Sequence, residues 1–364
     1  MSTDLMYTDV EESLRASILQ FLDARLSTTA LAQCYDGDDS IRDVWTSFAA
    51  QIGVAGLLVP EELGGAGASA REAAVVAEVL GRTLAPVPFL TSAVVATRIL
   101  VATGTVEPLQ AMVEGSASVV LGVPLSTQPG QVPHGVVVAD GRLSGSMSSV
   151  AEADRSSAVI IAARSSEGTL ELHLVGTELL DLTPVVSFDM TRPLSDLSIE
   201  NVEGTLLASG NVAETVLADA LLHGAAILAS EQLGVAQWCL ETTLGYVKTR
   251  HQFGRAIGSY QAVKHRLADL WVEVVHATAA ARYAADCIAR VDDDRHIAVS
   301  LAQACCSDVA VHAAEQAIQL HGGIGMTWEH AAHLYLKRAK TDQVAFGTSE
   351  WHRTHLSALL DLAL

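Results

Sequence analysis

Apolar and polar positions change rhythm twice along the chain. Up to about residue 116, apolar residues recur three and four apart, as in 11–26 and 70–82, the period of amphipathic helices. Between those segments a glycine-rich stretch, 56–69, predicts a turn feeding a helix. Ser69 and Glu72 have the spacing of a capping box at its start. From 117 to about 210 the pattern shortens to β-branched runs at 119–123, 135–138, 158–163, 170–175 and 197–199, parted by Gly, Ser, Asp and Pro. That predicts an antiparallel β domain. From 211 to 364 the chain reads as helical again, with long Ala-rich segments at 213–250, 260–291, 295–321 and 331–364. Gly322-Gly323 breaks this pattern where the backbone needs freedom. The expected fold is α+β in three domains: an N-terminal helical domain (1–116), a middle antiparallel β domain (117–210) and a C-terminal four-helix bundle (211–364).

Composition narrows the function. Half of the 364 residues are hydrophobic, enough for a large core and too many for a disordered chain. The formal charge of −20 repels phosphate backbones, so nucleic acid is not an expected partner. A small phosphorylated ligand in a locally basic pocket remains compatible with it. The five cysteines (Cys34, Cys239, Cys287, Cys305, Cys306) lack metal-like spacing, which fits a reduced, cytoplasmic protein. The N-terminal stretch is acidic, unlike a signal peptide. No apolar run looks long enough for the ~18 residues of a membrane helix, with Arg98 interrupting the best candidate. A soluble protein without a membrane partner is expected.

Arg250-His251-Gln252-Phe253-Gly254 ends one predicted helix and reads in two ways. One is a plain helix stop, with a cation near the last turn and a glycine after it. The other is an anion site, with Arg250 as a bidentate donor to a pyrophosphate. Phe253 would then be an apolar wall, and Gln261 could hydrogen-bond the same dinucleotide. Gln319-Leu-His-Gly-Gly-Ile-Gly325 is equally double. It is a break between helices, or a glycine pair whose N–H groups can approach a phosphate. It lacks the strand and glycine spacing of a nicotinamide site. His330 and His333 are three apart rather than the four of a helical zinc pair, so no metal is expected. His265 reads as a packed helix residue rather than a general base. The nucleophile motif Gly-x-Ser-x-Gly and the P-loop are absent.

Arg250-x-x-Phe253-Gly254 with Gln261, Gln319-x-x-Gly322-Gly323 and Gly347-Thr348-Ser349 follow one another in a fixed order. Together with the proline-glycine turn at 59–67, they resemble the acyl-CoA dehydrogenase family over essentially the whole chain. The resemblance implies FAD, an acyl-CoA substrate and an electron-transfer flavoprotein-type acceptor. It also implies α,β-dehydrogenation, in which a carboxylate takes the α proton and the β hydrogen leaves as hydride to the flavin. Hydrogen bonds to the thioester oxygen assist. By the same resemblance, Arg250, Phe253, Gln261, Gln319, Gly322 and Gly323 hold the adenosine and pyrophosphate side of a neighbouring subunit's flavin. Thr348 would lie near the flavin of its own subunit.

Three departures stand against that likeness. Phe346 holds the family's common glutamate position, and Gly224 matches the position used by other relatives. The β domain also lacks the Thr-Glu-Pro type of turn and the Trp-Ile-Thr run that contact the flavin ring; here those stretches are 122–131 and 145–150. The pattern resembles actinobacterial heteromeric members, including those of steroid side-chain degradation, to which Phe188-Asp-Met-Thr-Arg192 is also similar. The resemblance therefore implies one subunit of a heterotetramer acting on a bulky or branched acyl-CoA, with no catalytic residue identified in this chain. The alternatives are a self-sufficient homotetramer with its base relocated to Glu231, Glu241 or Glu350, and a non-catalytic member of the fold.

Overall fold

The computed structural model describes residues 4–37 and 43–362. Helices α1 (Asp9–Asp23), α2 (Thr28–Gln33), α3 (Asp43–Ile52) and α4 (Ala70–Thr83) open the chain. The predicted capping box forms at α4, where the Ser69 N–H donates to Glu72 Oε2 at 2.9 Å and Ser69 Oγ accepts from the Arg71 N–H at 3.1 Å. Next comes a fully buried π-helical segment, Phe89–Ala96, a rare geometry found mostly at functional sites. Helices α5 (Thr97–Ala102) and α6 (Val106–Val113) complete this region.

The strands are β1 (Val119–Gly122), β2 (Val136–Ala139), β3 (Arg142–Ala151), β4 (Ala158–Ser165), β5 (Leu170–Gly176), β6 (Asp181–Val185), β7 (Leu194–Glu203) and β8 (Thr205–Ser209). They form one sheet in the order β6-β7-β3-β2-β4-β5-β8, with β1 also on β4. The sheet is mixed rather than purely antiparallel, because β4 pairs in parallel with both β1 and β2. Its inner face carries a small core of its own, built on Val120, Leu143, Val159 and Ile161.

Helix α7 (Gly210–Thr249) follows directly. A two-residue hairpin, β9 (His251–Gln252) with β10 (Arg255–Ala256), leads to α8 (Gln261–Ala289), α9 (Arg295–His321), α10 (Ala332–Asp342) and α11 (Ser349–Leu359). The last Ala-rich segment is thus two helices, not one. Phe346 (φ 53°) and Gly347 (φ 105°) turn the backbone left-handed between them. Helices α7 and α9 are each long and apolar enough to cross a membrane by length and composition, which the sequence reading did not anticipate. In the fold, 67% and 72% of those apolar windows is buried.

Helices α4 and α7 approach closely. A Cβ on Gly234 would lie 1.9 Å from the Glu78 carbonyl oxygen, and one on Gly81 2.0 Å from that of Glu231. Only glycine permits this crossing. Cys239, Cys287, Cys305 and Cys306 form no disulfide.

Candidate functional site

The C-terminal ends of α7 and α9 and the start of α8 share one end of the bundle. Tyr246 of α7 stacks on His321 of α9 with ring centroids 4.4 Å apart, and Arg266 Nη1 lies 3.4 Å from Gln316 Oε1. The Arg250 and Gly322-Gly323 motifs are thereby brought to a common edge. Arg250, Phe253, Gln261, Gln319, Gly322 and Gly323 are all exposed. Phe253 is 94% exposed on a left-handed backbone (φ 49°), which is unusual for a bulky residue. A Cβ at Gly322 or Gly323 would meet nothing within 4 Å; Gly322 is called for by its left-handed backbone (φ 65°), whereas packing does not require Gly323. The set makes an outward-facing surface, not an internal pocket.

The other half of the expected site is closed. Phe346 is buried, and a Cβ at Gly224 would lie 2.9 Å from Phe346 Cζ and 2.8 Å from Val95 Cγ2. The Phe346 N–H donates to the Leu125 carbonyl at 2.9 Å. The next residue, Gly347, sits so near Gln128 that an added Cβ would be 3.2 Å from Gln128 Cγ. His352 Nε2 donates to the Phe346 carbonyl at 3.1 Å; burial pushes this imidazole down to about 4, keeping it neutral. Thr348 is exposed and caps α11, accepting from the Trp351 N–H at 3.2 Å. What remains between Thr91, Val95, Leu121, Ala151 and Phe346 is a cavity of about 20 Å³. That is room for about one water.

Comparison with known proteins decides the family. Residues 8–119 match the N-terminal domain of acyl-CoA dehydrogenases and residues 215–360 the C-terminal domain. Acyl-CoA dehydrogenase IpdE2 of Mycobacterium tuberculosis is 36% identical over 85% of this chain and 83% of its own length. The chain belongs to the acyl-CoA dehydrogenase family. Among solved structures, a Tcur3481–Tcur3483 steroid ACAD superposes with a TM-score of 0.84 at 25% identity, covering 97% of this chain and 98% of the other. The ChsE4–ChsE5 complex of Mycobacterium tuberculosis shares the fold, with a TM-score of 0.87 at 24% identity and 100% coverage of both chains.

In this acyl-CoA dehydrogenase family member two of the three candidate bases are ion-paired. Glu241 is ion-paired with Arg82 at the surface. Glu350 is exposed in the first turn of α11. Glu231 is buried and accepts from Arg192 Nη2 at 2.7 Å and from Arg338. Burial alone would raise its carboxyl, but the two guanidinium groups hold it below the usual range. His265 is exposed on α8. His330 packs on His321 with centroids 4.1 Å apart, and its Nδ1 accepts from the Ala332 N–H. Among the described residues no group of three ligating side chains forms a metal site.

Two features escaped the sequence reading. One is the buried charge cluster at the junction of sheet and bundle. Arg338 is 1% exposed and binds Asp189 and Glu231, while Arg192 Nη1 donates to Asp342 Oδ1 at 2.6 Å. The segment Phe188-Asp-Met-Thr-Arg192 supplies half of it, and was the signal available. The other is Glu152, buried on a left-handed backbone (φ 60°) and hydrogen-bonded by the Thr91 hydroxyl of the π-helix. Burial pushes its carboxyl up, against the pull of Arg192.

Proposed function

We propose that this chain is one subunit of a heteromeric, FAD-dependent acyl-CoA dehydrogenase, contributing the adenosine and pyrophosphate half of a flavin site shared with a homologous subunit. The observation that carries this reading is the asymmetry of the two halves. The outer edge presents an exposed arginine, a phenylalanine 94% exposed and an exposed glycine pair. The inner half offers a phenyl ring, a glycine and about 20 Å³ of space.

The flavin fits one half only. Arg250 would pair with its pyrophosphate, Phe253 and Gln261 would meet its nucleotide end, and the Gly322-Gly323 turn would let backbone approach. A bound flavin supplies hydride acceptance from the acyl β carbon. An isoalloxazine ring does not fit the space beside Phe346, and no carboxylate lines that cavity. Proton abstraction and thioester binding therefore belong to the partner. An apolar stripe on α8 near the same edge, with Trp271 57% exposed beside Val272 and Val275, supports docking of such a partner.

The substrate class we infer is a bulky acyl-CoA, steroid-derived side chains included, on the likeness to the steroid ACAD. The test is to express the chain alone and together with a homologous chain encoded beside it, then measure bound FAD and acyl-CoA turnover. The pair should be yellow and active and the lone chain neither. A lone chain with full flavin and full turnover would refute the partner requirement.

One observation favours a second reading, a self-sufficient enzyme with a relocated base. Glu152 is buried, its carboxyl is raised, and its partner Thr91 lines the cavity beside Phe346. Unchanged turnover in Glu152→Gln would remove that reading.

A further inference from the structure

A second cavity, of about 220 Å³, opens where α5, α7, the start of α4 and the α8–α9 turn meet. It is lined by His223 and Ile227, which point about a quarter-turn round α7 from Gly224. It is therefore separate from the closed space beside Phe346, and the two share no lining residue. Its size exceeds the roughly 150 Å³ of a cavity that accommodates benzene.

Its walls divide by chemistry. Leu58, Val94, Val101, Ile227 and Ile288 form an apolar body. Arg98, Asp219, His223 and Arg295 supply the polar part. Arg98 Nε is paired with Asp219, while its two Nη groups make no hydrogen bond to a described residue. Arg295 Nη1 donates to the Asp292 carbonyl at 3.0 Å, which leaves its charge unneutralised by that bond. His223 Nδ1 is tied to the Asp219 carbonyl at 2.8 Å, and burial, the main cause, lowers the affinity of the ring for a proton. The lining itself holds two guanidinium groups against one carboxylate, in a chain of formal charge −20.

The rim is the stop of α8, where the Asp292 N–H donates to the Cys287 carbonyl at 2.9 Å. Val291 sits there on a left-handed backbone (φ 51°) and is 69% exposed. That left-handed residue closes the helix and turns the chain toward Arg295 on the cavity wall. The π-helical segment contributes Val94 to the same wall.

We infer that this cavity is a binding site for a small carboxylate with an apolar body, its carboxylate held by Arg98 and Arg295 and its body against Val94, Val101 and Ile227. The site is independent of the shared flavin, so its test does not depend on cofactor or turnover. The full-length chain is titrated with cyclohexanecarboxylate and, separately, with the uncharged cyclohexanecarboxamide, with binding followed by calorimetry or ligand-observed NMR. The account predicts saturable binding of the acid, weaker binding of the amide, and about tenfold weakening in Arg98→Gln, as loss of a charged hydrogen bond implies. Val101→Trp should abolish binding by filling the space; Ala289→Leu serves if that variant fails to fold. Absence of acid binding to the unaltered chain would overturn the inference. Equal affinity for acid and amide, or indifference to Arg98→Gln in a variant of unchanged melting temperature, would overturn it as well.

Discussion

Gly224 and Phe346 face each other: a Cβ on the first would lie 2.9 Å from Cζ of the second. The two positions at which relatives are expected to carry a base thus occupy one point in space. Here one is reduced to hydrogen and the other is a ring that fills the vacancy. Substitution at either should report on the contact. Gly224→Ala overpacks it and should destabilise by about 1–3 kcal/mol. Phe346→Ala leaves a cavity and should cost about 3–5 kcal/mol. The double variant should cost less than the sum, because the small residue relieves the clash. Chemical denaturation of the four proteins measures this, and strict additivity would contradict the contact.

The Arg338 side chain should be the least replaceable charge in the fold. It is enclosed by Asp189, Glu231 and Thr191, with burial working against its charge and the carboxylates holding it. Arg338→Met removes the guanidinium from buried Asp189 and leaves Glu231 with Arg192 alone, and breaking such a buried pair costs about 3–5 kcal/mol. Arg338→Lys should rescue little, since an ammonium cannot replace the planar fork. Thermal unfolding checks both.

Asp342 sets a pH dependence. Burial first, with nearby Glu231 adding, pushes its carboxyl up to about 7 despite Arg192. A carboxyl raised on folding stabilises most below its unfolded value and loses that contribution as pH rises through its folded one. Its contribution therefore falls between about 4 and 7, opposite in sign to those of Glu231 and Asp189, whose carboxyls are lowered. In Asp342→Asn the loss of stability from pH 5 to 7.5 should shrink relative to the unaltered chain. An identical pH profile would sink the assignment.

How much of this was legible in the sequence depended on local signals. The capping box at Ser69 was readable because both halves lie within one turn. The glycine pair at 322 and the turn at 347 were readable because glycine marks left-handed backbone. Strand β3 was not, since Gly145-Ser-Met-Ser-Ser carries little β propensity and gains its place from pairing with β7. The charge cluster was hidden for a different reason. Arg and Asp are read as surface residues, and Arg192, Glu231 and Asp342 meet only after the chain has folded three regions together.

Phe253 should matter to assembly and not to stability. It is 94% exposed at φ 49°, so its ring contributes little to this chain's own fold. Phe253→Gly should leave the melting temperature of the lone chain unchanged or slightly raised, since glycine accepts that backbone. The same change should weaken partner association and flavin retention. Analytical ultracentrifugation of the mixed subunits tests it, and undiminished association would count against the surface.

The flavin-to-chain ratio of the native assembly tests the central claim most directly. Quantitative flavin release from the purified complex, set against total chain count by mass spectrometry, should give one FAD for every two chains, with none retained when the partner is removed. One FAD for every chain, including the chain alone, would contradict the account.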